Sequence, residues 1–519
     1  MSSSSTRVPA VARWLGLSAV ATAGILVFWL FDALPFQDLP AHAGLIALRH
    51  RYAHSPFEQR FYVLAPHLGP YSLFRALGEA FCPILGPVGS VRAIATLPVL
   101  ALPLALLWAR RRLHADRSLT PAYYGLALSF GFMTLLGFAS YLLGVAVLVV
   151  GLTLWLELLL AVDTGDAHAH RREAAVAAFA PLLFVAHGHA FAIFVLIAGV
   201  CALATGHRWA RMLRMRAIAP ALLLAASIEW SQRASVIPLG SAAAPNPPLS
   251  PHFQGVLDKL SLLITPTLMT RWGVDAVVGL ALWAVLVCSA IVTARSAHTP
   301  GPGDPSCVHS RALLASIVAL AAAFAVLPHS IGWFGFVDGR LVPLLLLLAV
   351  MAIRRETLGA MLRNFYEGCA PAAACALIAL ALLASHRFQT EARGWREVLA
   401  SVPAEARLLN FPLDPNSDIF TAHPFVHYDK LVLAERPVLV SDVWLHQGSA
   451  LYPTPENPAL RLPSTYSESD LRFIDWPAYH LEDWDYALIR TRPDAPRPDV
   501  PRALILSAHE GGWWLFRTR

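Results

Sequence analysis

The sequence predicts a polytopic α-helical membrane protein with about eleven transmembrane helices and a C-terminal extracytoplasmic α/β domain. Three observations lead to this fold class. The 519 residues are 56% hydrophobic and 14% charged, with a mean hydropathy of +0.54, which is atypical of soluble globular chains. Apolar runs long enough to cross a bilayer alternate with arginine clusters. Hydropathy then falls sharply after Ser385.

The net charge of +6 does not indicate a nucleic-acid partner. Nearly all the base is arginine at the ends of apolar runs, and Lys259 and Lys430 are the only lysines. The six cysteines all precede Ser385, so we expect neither a disulfide framework nor a zinc site outside the membrane. Scarce lysine with abundant alanine and arginine indicates a GC-rich, bacterial genome.

Arginine clusters predict the topology, because positive charge is retained on the cytoplasmic side of a membrane. The clusters assigned to the cytoplasm are Arg110, Arg111 and Arg112; Arg171 and Arg172; Arg208, Arg211, Arg214 and Arg216; Arg295 and Arg311; and Arg354, Arg355 and Arg363. From a cytoplasmic N-terminus, the predicted spans are residues 14–34, 90–108, 122–139, 141–161, 174–186, 190–205, 217–230, 273–293, 313–328, 335–353 and 370–385. The first span lacks a small-residue cleavage site, so we interpret it as an uncleaved anchor. In a bacterial inner membrane the C-terminus is then periplasmic or extracellular.

This topology divides the chain into a transmembrane domain, residues 1–385, and a soluble extracytoplasmic α/β domain, residues 386–519, called the tail below. The first extracytoplasmic loop covers residues 35–89, and residues 232–271 and 329–340 form further loops on the same side. Residues 68–85 are moderately apolar, but Pro83, Pro87, Arg75 and Glu79 favour an interfacial or re-entrant segment over a full crossing.

The tail has mixed helix and strand patterns. Strand character is found at residues 407–411, 437–440, 486–489 and 514–516, and helical spacing at residues 425–434. His423, His427 and Asp429 lie close together in the sequence, and we interpret them as scattered surface polar residues. The tail has no phosphate-binding glycine loop and no metal-ligand spacing.

The candidate reaction centre is at the start of the first loop. Asp38, His42, Leu45 and Arg49 are spaced by three and four residues, which puts them on one face of a helix. Asp38 followed by Pro40 is typical of a helix N-cap, and capping alone accounts for this pattern. A carboxyl group at the edge of an apolar site also has the raised pKa that suits proton removal from a hydroxyl. Asp38 and His42 are therefore the candidate catalytic residues.

This arrangement resembles the GT-C superfamily of polytopic polyprenyl-phosphate-sugar-dependent glycosyltransferases. Such proteins have a long first extracytoplasmic loop with an acidic residue just after the first helix, and often a soluble C-terminal domain. The resemblance covers nearly the whole chain as architecture, and residues 38–42 as a motif. It implies that Asp38 acts as general base on an acceptor hydroxyl. Many members carry two adjacent acidic residues here, whereas this chain has Leu39, so we expect no metal or other cofactor.

A polyprenyl-phosphate donor, the membrane-lipid partner that the resemblance implies, needs fixed cations at the outer face of the membrane. The candidates are Arg49, Arg51 and Arg60 in the first loop, Arg271 at the head of a span, and Arg340. Arg340 is the most specific of these candidates, because arginine is disfavoured at the outer boundary of a transmembrane span. An ion pair with Asp338 or snorkelling to lipid headgroups is the simpler alternative. The acceptor, whether glycan, lipid or protein, stays open.

Two other function classes compete with this interpretation. A ligase or polymerase of lipid-linked glycans usually has its key basic residues in a large late loop, and residues 329–340 form a short one. A transporter or envelope-assembly scaffold is the non-enzymatic alternative, but ionisable groups within spans and matched broken helices are not evident. His187 and His189, around Gly188, indicate a helix bend rather than a metal site, because two histidines do not complete a coordination shell.

Overall fold

The computed structural model of the chain describes residues 10–64, 68–204, 208–234, 250–297, 305–332, 334–443, 451–468, 471 and 473–519. Its α-helices are α1 (Ala10–Trp29), α2 (Leu39–Arg51), α3 (Pro56–Phe61), α4 (Ser72–His114), α5 (Thr120–Leu128), α6 (Phe132–Leu135), α7 (Ala139–Asp163), α8 (Ala169–Ala186), α9 (Gly188–Leu203), α10 (Arg208–Leu213), α11 (Ala219–Ala234), α12 (Val256–Ser261), α13 (Val274–Ala297), α14 (Pro305–Val326), α15 (Leu341–Ala352), α16 (Ala360–Ala392), α17 (Trp395–Ala400) and α18 (Lys430–Glu435). Its strands are β1 (Tyr62–Leu64), β2 (Pro251–His252), β3 (Ser330–Ile331), β4 (Arg407–Pro412), β5 (Leu439–Val440), β6 (Leu451–Pro453), β7 (Tyr486–Arg490), β8 (Leu504–Glu510) and β9 (Trp513–Thr518).

The protein is a polytopic helical membrane protein. Within the described ranges, six helices are long and apolar enough to cross a bilayer, namely α1, α4, α7, α13, α14 and α16. Helices α9 and α15 are shorter and also apolar. Helix α4 contains non-helical backbone at Gly86, followed by Pro87, so its first part, residues 72–85, is a separate arm called the α4 arm below.

The apolar segment at residues 122–139 differs from the single span that its composition predicts. It is broken into α5 and the short α6, because backbone groups of this segment form hydrogen bonds with two loops instead of continuing one helix. The amides of Gln37 and Asp38 donate to the carbonyls of Leu135 and Leu136, and the amide of Phe132 donates to the carbonyl of Thr265. These bonds satisfy backbone groups that would otherwise be unpaired inside the protein.

The loops predicted to share one side of the membrane pack together with the tail. Strand β1 of the first loop pairs antiparallel with β6 of the tail, and β2 pairs with β3 across two further loops. An isolated bridge joins Thr270 to Phe420. The proline-rich part of the predicted loop 232–271 lies largely at residues 235–249, outside the described residues.

The tail contains a five-stranded sheet in the order β5-β4-β7-β9-β8. Strand β4 is parallel to both β5 and β7, whereas β9 is antiparallel to β7 and β8. Helix α18 follows the loop after β4 and packs against α2 of the first loop. The loops that follow the carboxyl ends of the parallel strands therefore lie next to the transmembrane domain.

The contact between α2 and α18 is close and well bonded. The Nη2 group of Arg51 donates to the carbonyls of Leu433, at 2.7 Å, and Arg436, at 3.3 Å. The hydroxyl of Tyr428 donates to the carbonyl of Leu34 at 3.0 Å. A Cβ atom at Gly44 would lie 3.1 Å from the carbonyl oxygen of Lys430, so the helices approach closely because Gly44 has no side chain.

Replacing Gly44 with leucine is expected to separate the tail from the first loop. The added side chain overpacks the interface and lowers stability by about 1–3 kcal/mol. Gly199→Leu is the matched control, because Gly199 is also helical and a Cβ atom there meets nothing within 4 Å. Both variants gain the same helix propensity, so the difference between their apparent unfolding temperatures isolates the contact. Equal unfolding temperatures would contradict this role of Gly44.

Candidate active site

A cavity of about 1080 Å³ lies where the first loop, the α4 arm, the loop before α15 and the tail meet. Of the seven site residues predicted from the sequence, it brings together Asp38, His42, Arg49 and Arg340. At its mouth the Nη2 group of Arg49 is 2.6 Å from Glu79 Oε1, so this cation is shared with an acidic residue of the arm.

The other cations predicted for phosphate binding lie outside this cavity. Arg60 pairs with Glu456 at 2.6 Å, and both side chains are more than half exposed. The Nε group of Arg271 donates to the carbonyls of Ser417 and Phe420, so it ties the loop before α13 to the tail. Arg51 pairs with the buried Glu58 at 2.8 Å besides bonding the tail. A predicted location on the same side of the membrane therefore does not determine which arginines line the cavity.

Asp38 occupies the N-cap position of α2, as its sequence pattern predicts, but its side chain makes no capping hydrogen bond. Its backbone is already helical, with φ −92° and ψ −10°, and its carboxyl group faces the cavity instead. Its Oδ1 atom lies 3.8 Å from Nε2 of His427. Burial raises the pKa of Asp38 to about 6, against the lowering effects of His427, Arg340 and Gln37. The group is thus suited to proton transfer near neutral pH.

The backbone of Gly137 holds Asp38 in place. Gly137 has a φ of +79°, a conformation that residues with a Cβ atom rarely adopt. A Cβ atom there would lie 2.8 Å from the amide nitrogen of Asp38 and 3.0 Å from that of Leu39. The break between α6 and α7 therefore supports the start of α2 directly.

Gly137→Ala is expected to displace Asp38 and thereby lower any activity that depends on this carboxyl group. Gly165→Ala is the matched control, because Gly165 has a similar φ of +66° and a Cβ atom there would meet no other atom within 4 Å. Both variants carry the left-handed penalty of about 1–2 kcal/mol, and only Gly137→Ala also moves Asp38. Measuring unfolding temperature and turnover together separates the two effects. Equal activity losses in both variants would refute this role of Gly137.

His42 lies one turn after Asp38 on the same side of α2, as the spacing predicts. Its ring is 4.5 Å from that of Phe74 on the α4 arm. Burial lowers the pKa of His42 to about 3, with a smaller contribution from His427. His42 is therefore a neutral imidazole at physiological pH, able to donate or accept one hydrogen bond within the cavity.

Arg340 is buried against aromatic rings at the head of α15. Its guanidinium carbon lies 4.1 Å from the ring centre of Phe334, 4.5 Å from that of Phe138 and 5.8 Å from that of Tyr141. The side chain does not form the alternative ion pair with Asp338, because Asp338 accepts from His329 and the amide of Gly339. Among the described residues, its Nε and Nη1 atoms have no hydrogen-bond partner.

An unpartnered buried guanidinium is costly, which points to an anionic ligand. Arg340 is only 6% exposed and lines the cavity together with the aromatic residues that surround it. Its charge also acts on Asp38, whose pKa it lowers. A carboxyl group with a raised pKa and a cation with two unbonded nitrogen atoms therefore line the same cavity.

The tail contributes a polar wall that sequence reasoning missed. His427 and Asp429, interpreted above as surface residues, are buried at 6% and 0% exposure. Glu468 pairs with Lys430, and Lys430 Nζ lies 3.0 Å from Asp429. Burial alone would raise the pKa of Glu468, but Lys430 and His427 hold it at about 2. A usable signal was present, since Lys430 is one of only two lysines and follows His427 at helical spacing.

His187 and His189 flank a helix break, as predicted from the intervening glycine. Helix α8 ends at Ala186 and α9 begins at Gly188, and His187 lies at the cavity wall. Its Nδ1 atom accepts from the amide of Ala190 at 3.4 Å, so this imidazole caps α9. Within the described ranges, no group of three or more histidine, cysteine, aspartate or glutamate residues is arranged to hold a metal ion.

Similar folds occur among solved structures of membrane proteins. The crystal structure of ArnT from Cupriavidus metallidurans, bound to undecaprenyl phosphate, matches with a TM-score of 0.54 at 13% sequence identity, covering 98% of both chains. The cryo-EM structure of the arabinofuranosyltransferase AftD from mycobacteria gives a TM-score of 0.49 at 14% identity, covering 98% of this chain and 40% of AftD. No protein-family model matches the sequence, and no curated protein does. The whole-length match to ArnT confirms the predicted resemblance at the level of architecture, and the chain shares the fold of ArnT.

Proposed function

We propose that this protein transfers a sugar from a polyprenyl-phosphate donor to an extracytoplasmic acceptor. The observation that carries the proposal is that Asp38 lines one cavity with Arg340, whose Nε and Nη1 atoms have no hydrogen-bond partner among the described residues. A polyprenyl phosphate is the proposed carrier because ArnT, which shares the fold, is bound to undecaprenyl phosphate. The acceptor is a hydroxyl-bearing molecule that enters the same cavity.

In the proposed reaction, Asp38 removes the proton from the acceptor hydroxyl, and the hydroxyl oxygen attacks the anomeric carbon of the sugar. The bond between that carbon and the phosphate oxygen breaks, and its electron pair leaves with the polyprenyl phosphate. Arg340 donates hydrogen bonds to the phosphate and stabilises the charge that develops on it. His42, as a neutral imidazole, orients a sugar or acceptor hydroxyl. Arg49 adds positive charge at the mouth.

The membrane topology belongs to the same proposal. It includes about eleven spans, a cytoplasmic N-terminus and a periplasmic or extracellular tail in a bacterial inner membrane. The packing of the loops and the tail around one cavity supports this topology. Helix α15 begins at the cavity and ends where Arg110 donates to the carbonyl of Met351 at 3.1 Å. Arg112 pairs nearby with Glu157, so the predicted cytoplasmic arginines gather at the end away from the cavity.

The proposal is tested with the purified full-length protein in lipid nanodiscs. Undecaprenyl phosphate is expected to raise the apparent unfolding temperature, because it binds only the folded state. A panel of synthetic polyprenyl-phosphate sugars, offered with cell-envelope acceptors, is expected to contain at least one that releases free polyprenyl phosphate, measured by mass spectrometry. Absence of both stabilisation and release would overturn the proposal in favour of a scaffold.

A further inference from the structure

His427 lies between two carboxyl groups that come from different parts of the protein. Its Nδ1 atom is 3.1 Å from Oε2 of Glu468 in the tail, and its Nε2 atom is 3.8 Å from Oδ1 of Asp38 in the first loop. The ring is 6% exposed and forms part of the cavity wall, where it connects the tail to the first loop. One imidazole thus connects the proposed base to a buried acid.

Glu468 is a rigid partner for this imidazole. Its Oε1 atom accepts from Asn410 Nδ2 at 3.0 Å and from the hydroxyl of Tyr466 at 3.2 Å, and Lys430 pairs with Oε2. With its pKa near 2, Glu468 is ionised and accepts hydrogen bonds only. The contact of 3.1 Å between Nδ1 and the Glu468 carboxylate favours the imidazole tautomer with its hydrogen on Nδ1, which directs the lone pair of Nε2 at Asp38.

We propose that the tail completes the reaction centre: Glu468 positions His427 so that Nε2 takes up the proton which Asp38 has removed from the acceptor. This inference rests on the proposed function and adds a positioning residue to it. The proton moves from the carboxyl oxygen of Asp38 to Nε2, which regenerates the Asp38 carboxylate and leaves an imidazolium between two carboxylates. The imidazolium then loses its proton to water in the cavity. A buried carboxylate that fixes the tautomer and stabilises the imidazolium is the arrangement that serine hydrolases use.

The separation of 3.8 Å between Asp38 and His427 fits this role, because catalytic hydrogen bonds are often long in the absence of substrate. The ionisable groups around this pair come from every surrounding element: Arg340 and His42 from the transmembrane domain and Glu468 from the tail, with Lys430, Asp429 and Asp442 behind Glu468. Among them, His427 has the largest lowering effect on the pKa of Asp38. Because His427 and Asp38 compete for one proton in this proposal, replacing the imidazole should leave that proton on Asp38 and so raise the pKa of Asp38.

The test uses His427→Gln and Glu468→Gln in the full-length protein. Two quantities are measured against pH: polyprenyl-phosphate release, and labelling of Asp38 by a hydrophobic carbodiimide, followed by mass spectrometry. The reagent attacks protonated carboxyl groups, so labelling reports the ionisation of Asp38 without turnover. In His427→Gln the labelling midpoint and the acidic limb of the rate profile are expected to move upward by about one pH unit. The kcat is expected to fall about 100-fold at unchanged KM.

Glu468→Gln is expected to shift both profiles in the same direction, because Glu468 acts through His427. His480→Gln is the control, since His480 is an exposed tail residue paired with Glu482, outside the cavity. A purely structural role would lower the folded yield without moving either midpoint, and that result would overturn the inference. If Glu468→Gln does not fold, His427→Gln alone decides, because it leaves the Glu468 and Lys430 pair intact.

The two proposals fail in different ways. An unshifted labelling midpoint in His427→Gln overturns the link between His427 and Asp38, whether or not the wild-type protein transfers sugar. A shifted midpoint in a protein that releases no polyprenyl phosphate from any donor supports the link and contradicts the proposed function.

Discussion

Asp38→Asn is expected to abolish sugar transfer while leaving the protein folded. Asparagine has nearly the same shape but cannot accept the acceptor proton, so the rate should fall by about 10²–10⁴-fold. Because burial raises the pKa of Asp38 to about 6, the wild-type rate should rise with pH through that value as the carboxylate forms. The measurement is the initial rate of polyprenyl-phosphate release between pH 5 and pH 8.

Stability provides an independent check on the same residue. Ionisation of a carboxyl group whose pKa is raised in the folded state lowers the free energy of unfolding. This loss of stability accumulates as the pH rises and is complete above the folded-state pKa of about 6. Above that pH, Asp38→Asn should therefore be at least as stable as the wild-type protein. Asp32→Asn is the control, because Asp32 is an exposed carboxylate near the end of the same first span. Retained transfer in Asp38→Asn would disprove its role as base.

Arg340→Met is expected to weaken donor binding with little change in stability. Methionine keeps much of the side-chain volume but removes the guanidinium that we assign to the phosphate. Losing charge-assisted hydrogen bonds of about 1.5–3 kcal/mol corresponds to about a 10- to 100-fold weaker affinity. The variant loses the contacts of the guanidinium with Phe138 and Phe334, which lowers stability, but it no longer buries a charge, which raises stability. Because these two changes oppose each other, the free energy of unfolding should change by less than about 1 kcal/mol.

The measurement for Arg340 is the affinity for undecaprenyl phosphate, obtained by native mass spectrometry in nanodiscs. Arg60→Met is the matched control, because Arg60 was predicted from the same reasoning and lies outside the cavity, paired with Glu456. Its affinity should equal that of the wild-type protein. Equal affinities for all three proteins would show that the phosphate binds elsewhere. A severe loss of stability in Arg340→Met would instead favour a structural role for this cation.

Residue patterns along the chain identified some parts of the candidate site and not others, for physical reasons. Asp38 and His42 were found because a helix places residues four apart on one face, which is a local property. Arg340 was found because a cation at an outer span boundary conflicts with the usual charge distribution. Arg60 and Arg271 satisfied similar rules, but their partners, Glu456 and the carbonyls near Phe420, come from distant parts of the chain.

By itself, the sequence determined the polytopic helical class, the grouping of the first loop with the tail, and Asp38 as a candidate base. Those features depend on composition and on local spacing, because the thickness of the bilayer determines which apolar runs can span it and the distribution of arginines predicts on which side each loop lies. The tertiary structure alone decided that residues 122–139 break beside Asp38, and that His427, in contact with Glu468, reaches Asp38 from the tail. Such contacts join segments hundreds of residues apart, and they follow from packing and from the bonding needs of backbone and charged groups, which have no local pattern.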